Sequence, residues 1–277
     1  MPKSLSEEQV AAYHRDGYVS PIRVLSAAEM ADRRARLEAF EADSDGPLAG
    51  GLRFKPHLLL TWLDDLIRHP RILDAVEDVL GPNIMCWGSA FFTKEARDQG
   101  YISWHQDSTY WGLSGADVVT AWLAFSPSTA ESGCMQVIPG THRLDQQLHH
   151  DTHADANMLS RGQVIQMPVD EQAAVDTVLQ PGEISLHHIR LIHGSKPNPS
   201  DDRRIGFAIR YIPPHLHQIN GPEDLAMLVR GEDPHHNFEL EVRPESDMHP
   251  DAIEHHARAA ELHGQLLYQG TDRQPFT

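Results

Sequence analysis

The sequence predicts a mainly β protein, a sandwich or jelly roll preceded by packed helices. Three observations carry that reading. From residue 84 the chain falls into short strand-like segments, with Gly, Pro, Asn and Ser in the gaps between them. The residues before 82 instead carry helix-capping devices and one clear amphipathic stripe. Many short strands at such intervals are the pattern of all-β sandwiches and barrels. The 277 residues can bury a substantial core, and no repeat, low-complexity tract or linker interrupts them. One domain is expected over 1–277, with a helical part over 1–82, a β core over about 84–214 and a C-terminal extension over 215–277.

In chain order, Leu5-Ser6-Glu7-Glu8-Gln9-Val10 offers a Ser N-cap, a Gln three residues later and an apolar pair placed to staple the turn. Leu25-Ser26-Ala27-Ala28-Glu29-Met30 repeats the device. Two short helices are expected, with Gly17-Tyr18-Val19 as a brief strand between them. Residues 42–51 read as a loop, and Leu58 to Leu66 as a buried helix or turn. Pro70, then Ile72, Leu73, Val76, Val79 and Leu80 on one stripe, then Gly81, predict a helix. Strands are expected at Ile84–Phe92, Tyr101–His105, Val118–Phe125, Cys134–Ile138, Thr177–Leu179, Glu183–His187 and Ile205–Tyr211. The polar, His-rich stretch 143–175 reads as a long excursion near one mouth of the fold, and loops of that size are usually functional or mobile. Residues 221–250 look irregular, and a last helix is expected from Pro250 to Leu267.

Twenty-three Lys and Arg against 40 Asp and Glu give a net charge of -17, which disfavours nucleic acid and anionic membranes as partners. A pocket can still be locally basic, so an anionic small substrate stays possible. Cys86 and Cys134 make no disulfide framework. The opening Met1–Gln9 is polar and no apolar run approaches the length of a membrane span, so a cytoplasmic enzyme is expected. HExxH, paired CxxC, a Gly-rich phosphate loop and GxSxG are all missing, which speaks against zinc proteases, nucleotide hydrolases and esterases.

What the chain offers instead is Ser103-Trp104-His105-Gln106-Asp107. In an extended segment His105 and Asp107 share a face. Two His and one carboxylate form the facial set that leaves positions open on Fe(II). A buried carboxylate among Tyr101, Ile102 and Trp104 needs a charge partner or a metal. The third ligand must come from afar, and spacing leaves His187, His188 and His193 as candidates. Arg204 is a rigid fork suited to the far carboxylate of an organic-acid co-substrate. Alternation puts Arg204, Gly206, Ala208 and Arg210 inward, with Gly206 and Ala208 leaving room for a ligand and Arg203 facing solvent. Gln106 alternates away from the two ligands, so packing competes with a pocket role. Trp104, Tyr110, Trp111 and Trp122 could wall a pocket or fill the core. Arg53, Lys55, Lys94 and Arg210 could bind an anionic group, although Lys55 and Lys94 also read as ordinary surface lysines. The remaining His read as solvated, His215 and His217 being the hardest to set aside because they follow the strand that carries Arg204.

This combination resembles the phytanoyl-CoA dioxygenase family of Fe(II)- and 2-oxoglutarate-dependent oxygenases. The resemblance runs from about Leu5 to at least Pro214. It rests on Asp16-Gly17-Tyr18-Val19, on Trp104 to Asp107, on Ser132-Gly133-Cys134-Met135-Gln136-Val137-Ile138-Pro139-Gly140-Thr141-His142, on His193-Gly194-Ser195 with Asn198, and on Arg203-Arg204. It implies a double-stranded β-helix, jelly-roll and cupin-like, with flanking α-helices. It implies His105, Asp107 and His193 as the iron ligands, and so selects His193 over His187. Arg204 would pair with the C5 carboxylate of 2-oxoglutarate and Ser195 would assist, with Thr141, Gln106 and Trp122 completing the co-substrate surroundings. The implied reaction uses Fe(II), 2-oxoglutarate and O2 to hydroxylate an unactivated C–H bond, releasing succinate and CO2. Halogenating relatives replace the carboxylate by a small residue, so Asp107 points to hydroxylation. The sequence around His105 is similar to bacterial hydroxylases of small polar metabolites, which implies an amino acid, betaine or phosphonate as partner. A non-catalytic cupin-like metal- or ligand-binding protein, or a metal-dependent hydrolase or isomerase on a similar barrel, would leave Ser195 and Arg204 unexplained.

Overall fold

The structure, a computed structural model, describes residues 2–44, 46, 48, 50–221 and 224–270. Ser6 opens α1 (Glu7–Asp16) by accepting from the Gln9 backbone N–H, while the Gln9 side chain accepts from the Ser6 N–H. Ser26 and Glu29 do the same at α2 (Ala27–Asp43). Each box satisfies donors that a helix start leaves orphaned. Gly17 ends α1 at φ 83°, and a Cβ there would lie 2.5 Å from the His142 ring, so the turn and the close approach both require glycine. The chain continues into β1 (Tyr18–Arg23). At 17 residues α2 is longer than expected; of the loop expected over 42–51, residues 50 and 51 begin a 3-10 turn, Gly50–Arg53, and residues 45, 47 and 49 lie outside the described residues. α3 (Thr61–Ile67) and α4 (Pro70–Leu80) complete the helical part, with Ile72, Leu73, Ala75 and Val76 buried on one stripe of α4.

The strands that follow are β2 (Ile84–Lys94), β3 (Ile102–His105), β4 (Val119–Ala124), β5 (Met135–Val137), β6 (His149–Asp151), β7 (Gln163–Ile165) and β8 (Val175–Asp176). After them come β9 (Glu183–His188), β10 (His193–Ser195), β11 (Arg204–Ile212), β12 (Leu225–Arg230) and β13 (Glu239–Leu240), and α5 (Pro250–Leu267) closes the chain. The main sheet has the order β1-β9-β4-β11-β2-β12-β13, the minor sheet β3-β10-β5-β8, and β6-β7 form a separate hairpin. The expected mainly β jelly-roll architecture with flanking helices is what the chain adopts. Among the described residues no helix is long and apolar enough to cross a membrane.

Strand alternation decides which side chains meet the helices and which meet the space between the sheets. On β11, Ile205, Phe207, Ile209 and Tyr211 join the large apolar cluster shared with α1 to α4, together with Val119, Ala121 and Leu123 of β4 and Ile184 and Leu186 of β9. Each fully buried apolar side chain there contributes about 1.5–3 kcal/mol. The opposite set, Arg204, Gly206, Ala208 and Arg210, turns inward as the period predicts. Gly206 does not leave room for a ligand, however: a Cβ there would lie 1.8 Å from the Trp122 indole, so the missing side chain makes space for Trp122.

Four further expectations are corrected. The strand expected at Thr177–Leu179 is instead β8 at Val175–Asp176, with Leu179 making an isolated bridge to Ser128. Residues 221–250 are not wholly irregular, because β12 pairs antiparallel with β2 inside the main sheet. Arg203 does not face open solvent but pairs with Glu41 at 2.6 Å and Glu95 at 2.8 Å. Lys55 is no surface lysine, since it lies buried against Glu241 at 2.5 Å and donates to the Leu225 carbonyl at 2.8 Å.

Candidate active site

The minor sheet supplies one wall of a cavity and the inner face of the main sheet the other. Antiparallel pairing of β10 with β3 sets His193 opposite His105, their ring centroids 4.2 Å apart. Gln106 is extended (φ -109°, ψ 136°), so Asp107 returns to the face of His105 before the chain turns, and its N–H is held by the Ile189 carbonyl at 3.1 Å. His105 Nε2 lies 3.3 Å and His193 Nε2 3.9 Å from Asp107 Oδ1. Among the described residues, this trio alone offers three ligand atoms, all within 4.8 Å of one another.

The second nitrogen of each ring is already committed. His105 Nδ1 donates to the Ser103 carbonyl at 2.9 Å, and His193 Nδ1 to the Leu191 carbonyl at 2.9 Å. A carbonyl can only accept, so each neutral ring carries its proton on Nδ1 and presents a bare Nε2 lone pair to Asp107's neighbourhood. Burial, and then the neighbouring His105, push His193 down to about 3, which keeps it neutral and able to coordinate. Burial pushes the Asp107 carboxyl up, but hydrogen bonds from His105 and His187 and the charge of His193, which act when those rings are protonated, outweigh it and hold it well below the usual range. The set fits a divalent transition metal: two neutral imidazoles and one carboxylate, with their outer hydrogen bonds in place.

Across the same cavity of about 430 Å³ lie Arg204, Ser195 and Trp122. Arg204 is buried, its Nε and one Nη have no partner, and its guanidinium sits 5.3 Å from the Trp122 ring. Burial pushes it down to about 10, so it remains charged at neutral pH. Lys94 faces it across the β2–β11 pairing and donates to Ser195 Oγ at 2.7 Å and to the Lys196 carbonyl. Burial, followed by the charge of Arg204, pushes Lys94 down to about 7. Two buried cations and a hydroxyl without a facing carboxylate make an anion site.

His105, Asp107, His193, Ser195, Arg204 and Trp122 therefore meet in one cavity. Gln106 and Thr141 do not line it. The Gln106 side chain donates to the Arg190 carbonyl at 3.0 Å and accepts from the Gln147 N–H at 2.8 Å, anchoring the excursion after Thr141. Thr141 Oγ1 donates to the Ile138 carbonyl at 2.7 Å and accepts from the Ile192 N–H at 3.0 Å, which fixes the residue before His193. His187 does line the cavity, with Nε2 3.9 Å from Asp107 Oδ2, whereas His188 turns toward His142. His215 and His217 are exposed away from it. Lys94, which the sequence offers both as an anion-binding group and as a surface lysine, is buried here, because the strand expected to stop at Phe92 runs on to Lys94 and sets it opposite Arg204. Leu159, which lines the cavity from the excursion, carried no signal.

The family model of phytanoyl-CoA dioxygenase (PhyH) matches residues 13–206. The chain belongs to the phytanoyl-CoA dioxygenase family. This PhyH chain is 34% identical to the solved non-heme monooxygenase ThoJ in its apo form, over 94% of this chain and 98% of that one, with a TM-score of 0.84. It is 27% identical to CytC3 solved with Fe(II) and alpha-ketoglutarate, over 87% of this chain and 94% of that one, with a TM-score of 0.67. The probable alpha-ketoglutarate-dependent hypophosphite dioxygenase of Stutzerimonas stutzeri is 29% identical over 160 residues, 56% of this chain and 54% of that protein. Other curated relatives are named for phytanoyl-CoA, in Homo sapiens, and for ectoine, in Bordetella parapertussis. The chain spans about half the length of the first curated relatives it matches.

Proposed function

We propose that this PhyH-family chain is an Fe(II)- and 2-oxoglutarate-dependent dioxygenase that hydroxylates an unactivated C–H bond of a small polar metabolite. The observation that carries the reading is one cavity holding a His–Asp–His trio on one wall and a buried, unpartnered arginine on the other. Relatives named for hypophosphite, ectoine and phytanoyl-CoA support a small-molecule substrate, and an amino acid, betaine or phosphonate fits that range. The buried, unpaired Cys86 and Cys134 suit the cytoplasm.

His105, Asp107 and His193 would hold the iron, and Arg204 with Ser195 would hold the C5 carboxylate of 2-oxoglutarate. Bound there, the iron and its co-substrate would supply the oxidising chemistry by which substrate, 2-oxoglutarate and O2 become hydroxylated product, succinate and CO2. The chain's own part is placement. Asp107 enters as a carboxylate and offsets part of the metal charge in a low-dielectric site. The carbonyls of Ser103 and Leu191 keep both imidazoles in the ligating tautomer. Arg204 offers its free Nε and Nη as a fork for a planar anion, and Lys94 adds a second positive charge behind Ser195. Trp122, Phe92, Ile102 and Met135 exclude water around them. No protein nucleophile or general base is required.

The test is Fe(II)-dependent, O2-dependent release of succinate from 2-oxoglutarate. Wild type is expected to release it, and Asp107→Ala to lose it by at least about 100-fold. Succinate release by Asp107→Ala at the wild-type rate would overturn the assignment. Turnover supported by Zn(II) without O2 would replace it by a hydrolase reading.

A further inference from the structure

A second cavity, with about 810 Å³ of empty space, opens beside the first and shares Phe92, Asp107, Leu159 and Arg210 with it. Its walls are apolar and aromatic, with Trp87 and Trp111 at 5.0 Å between ring centroids and Phe54 stacked on His263 at 3.6 Å. Pockets for small molecules are typically of this kind, mostly apolar with a few placed polar groups. Here two of the placed groups are the cations Arg210 and Arg53. Arg210 is buried, its Nε has no partner, and its guanidinium lies 5.7 Å from the Phe92 ring and 5.4 Å from the Trp111 ring. Arg53 lines the same cavity, where its charge, after that of Asp107, acts on Arg210. Asp107 is the one carboxylate in the lining among the described residues, and the proposed iron claims it.

The other buried or half-buried arginines show how unusual this is. Arg161 pairs with Asp151, Arg203 with Glu41 and Glu95, and Arg230 with Asp74 and Glu77. A chain with a net charge of -17 has carboxylates to spare, yet among the described residues Arg204 and Arg210 make no ion pair, and the carboxylates of Asp98 and Asp107 act on them only from a distance. These two stand on the inward face of β11, six residues or about 20 Å apart along the strand. One small dicarboxylate gripped by Arg204 therefore does not account for Arg210.

Building on the oxygenase reading, we infer that the substrate is a small molecule carrying an oxyanion, a carboxylate or a phosphonate, on an apolar body. Arg210 and Arg53 hold the oxyanion, Trp87, Trp111 and Phe54 flank the body, and the carbon to be oxidised is thereby presented at the Asp107 edge shared by the two cavities. A cationic or neutral substrate would leave the buried Arg210 guanidinium without a counter-charge.

The experiment uses the full chain, loaded anaerobically with Fe(II) and saturating 2-oxoglutarate so that the Arg204 site is filled. Phenylacetate, phenylphosphonate and the neutral phenylacetamide are titrated by calorimetry into wild type, Arg210→Gln, Arg210→Lys and Arg53→Gln. At least one anionic probe is expected to bind about tenfold or more tighter than the amide, and which one does so identifies the oxyanion. Arg210→Gln is expected to shrink that preference below about threefold, while Arg210→Lys keeps most of it. Equal binding of the amide and both anions, or no binding of either anion, would overturn the inference, as would a preference that survives in both Gln variants. If Arg210→Gln does not fold by circular dichroism, Arg53→Gln decides the point. A missing iron–2-oxoglutarate absorption band would count against the oxygenase reading instead, and the same titration without iron would still measure the anion preference.

Discussion

On the outer face of the main sheet, Lys55 is buried against Glu241, the second Glu241 oxygen lies 3.7 Å from His57 Nε2, and His57 Nδ1 meets Ser89 Oγ at 2.7 Å. On the inner face, Lys94 and Arg204 are equally buried, but the groups they reach are a hydroxyl, a carbonyl and an indole ring. The first cluster pairs its buried cation with a carboxylate of the chain itself, so its charges hold the C-terminal extension to the helical part. The second is left one anion short. Burying an uncompensated cation costs stability, and a site that bears that cost while lining a cavity is organised for something that arrives from outside. Burial and charge alone do not separate a structural polar cluster from a functional one; the missing counter-charge does.

Removing one charge from each cluster should have unequal consequences for stability. Glu241→Ala should cost about 3–5 kcal/mol, because it strands Lys55 in the core, and urea unfolding reads that loss directly. Arg204→Ala should change stability far less, within about 1 kcal/mol of wild type or slightly upward, since it removes an uncompensated buried charge. Equal losses in the two variants would erase the distinction between the clusters.

A smaller effect concerns Lys94, which burial and Arg204 bring down to about 7. Below that pH it is charged and helps draw the co-substrate's carboxylate; above it the charge is lost. Affinity for 2-oxoglutarate should therefore fall about threefold or more between pH 6 and pH 8.5, and Lys94→Met should flatten the profile. A wild-type profile as flat as the variant's would remove Lys94 from the anion site.

The smallest effect lies outside both clusters. His149 and His188 are each brought down to about 4, chiefly by burial. Between that value and the ordinary 6.5 of the unfolded chain, the unfolded state binds more protons, so stability rises with pH across that window and is lost as pH falls from 6.5 toward 4. Thermal unfolding of His188→Gln should show a shallower loss over the same range, and a slope equal to wild type would argue against His188 as a contributor.

What was legible in the sequence was local. Ser6 with Gln9, Ser26 with Glu29, and Pro70 with Gly81 each specify a helix end within a few residues. The inward set of β11 follows from a period of two, and so does the shared face of His105 and Asp107. The choice among His187, His188 and His193 was not local, because it depends on the register that sets His193 opposite His105. β12 was missed because Ala226-Met227-Leu228-Val229 is an apolar run without alternation, made a strand by its pairing with β2. Gln106 and Thr141 stand beside the site in sequence yet serve the loops and the strand around it. The second cavity gathers Arg53 from a 3-10 turn, Leu159 from the excursion and His263 from α5, and no sequence spacing relates them.

The most direct test of the open cluster is an anaerobic titration of the metal-free protein with Fe(II) and then 2-oxoglutarate, following the weak visible metal-to-ligand band in wild type, His193→Ala and Arg204→Ala. Wild type is expected to show a band that is lost in His193→Ala and needs at least about 30-fold more 2-oxoglutarate in Arg204→Ala. Wild type that is folded and binds iron yet shows no band, or an Arg204→Ala protein that saturates at the wild-type concentration, would contradict it.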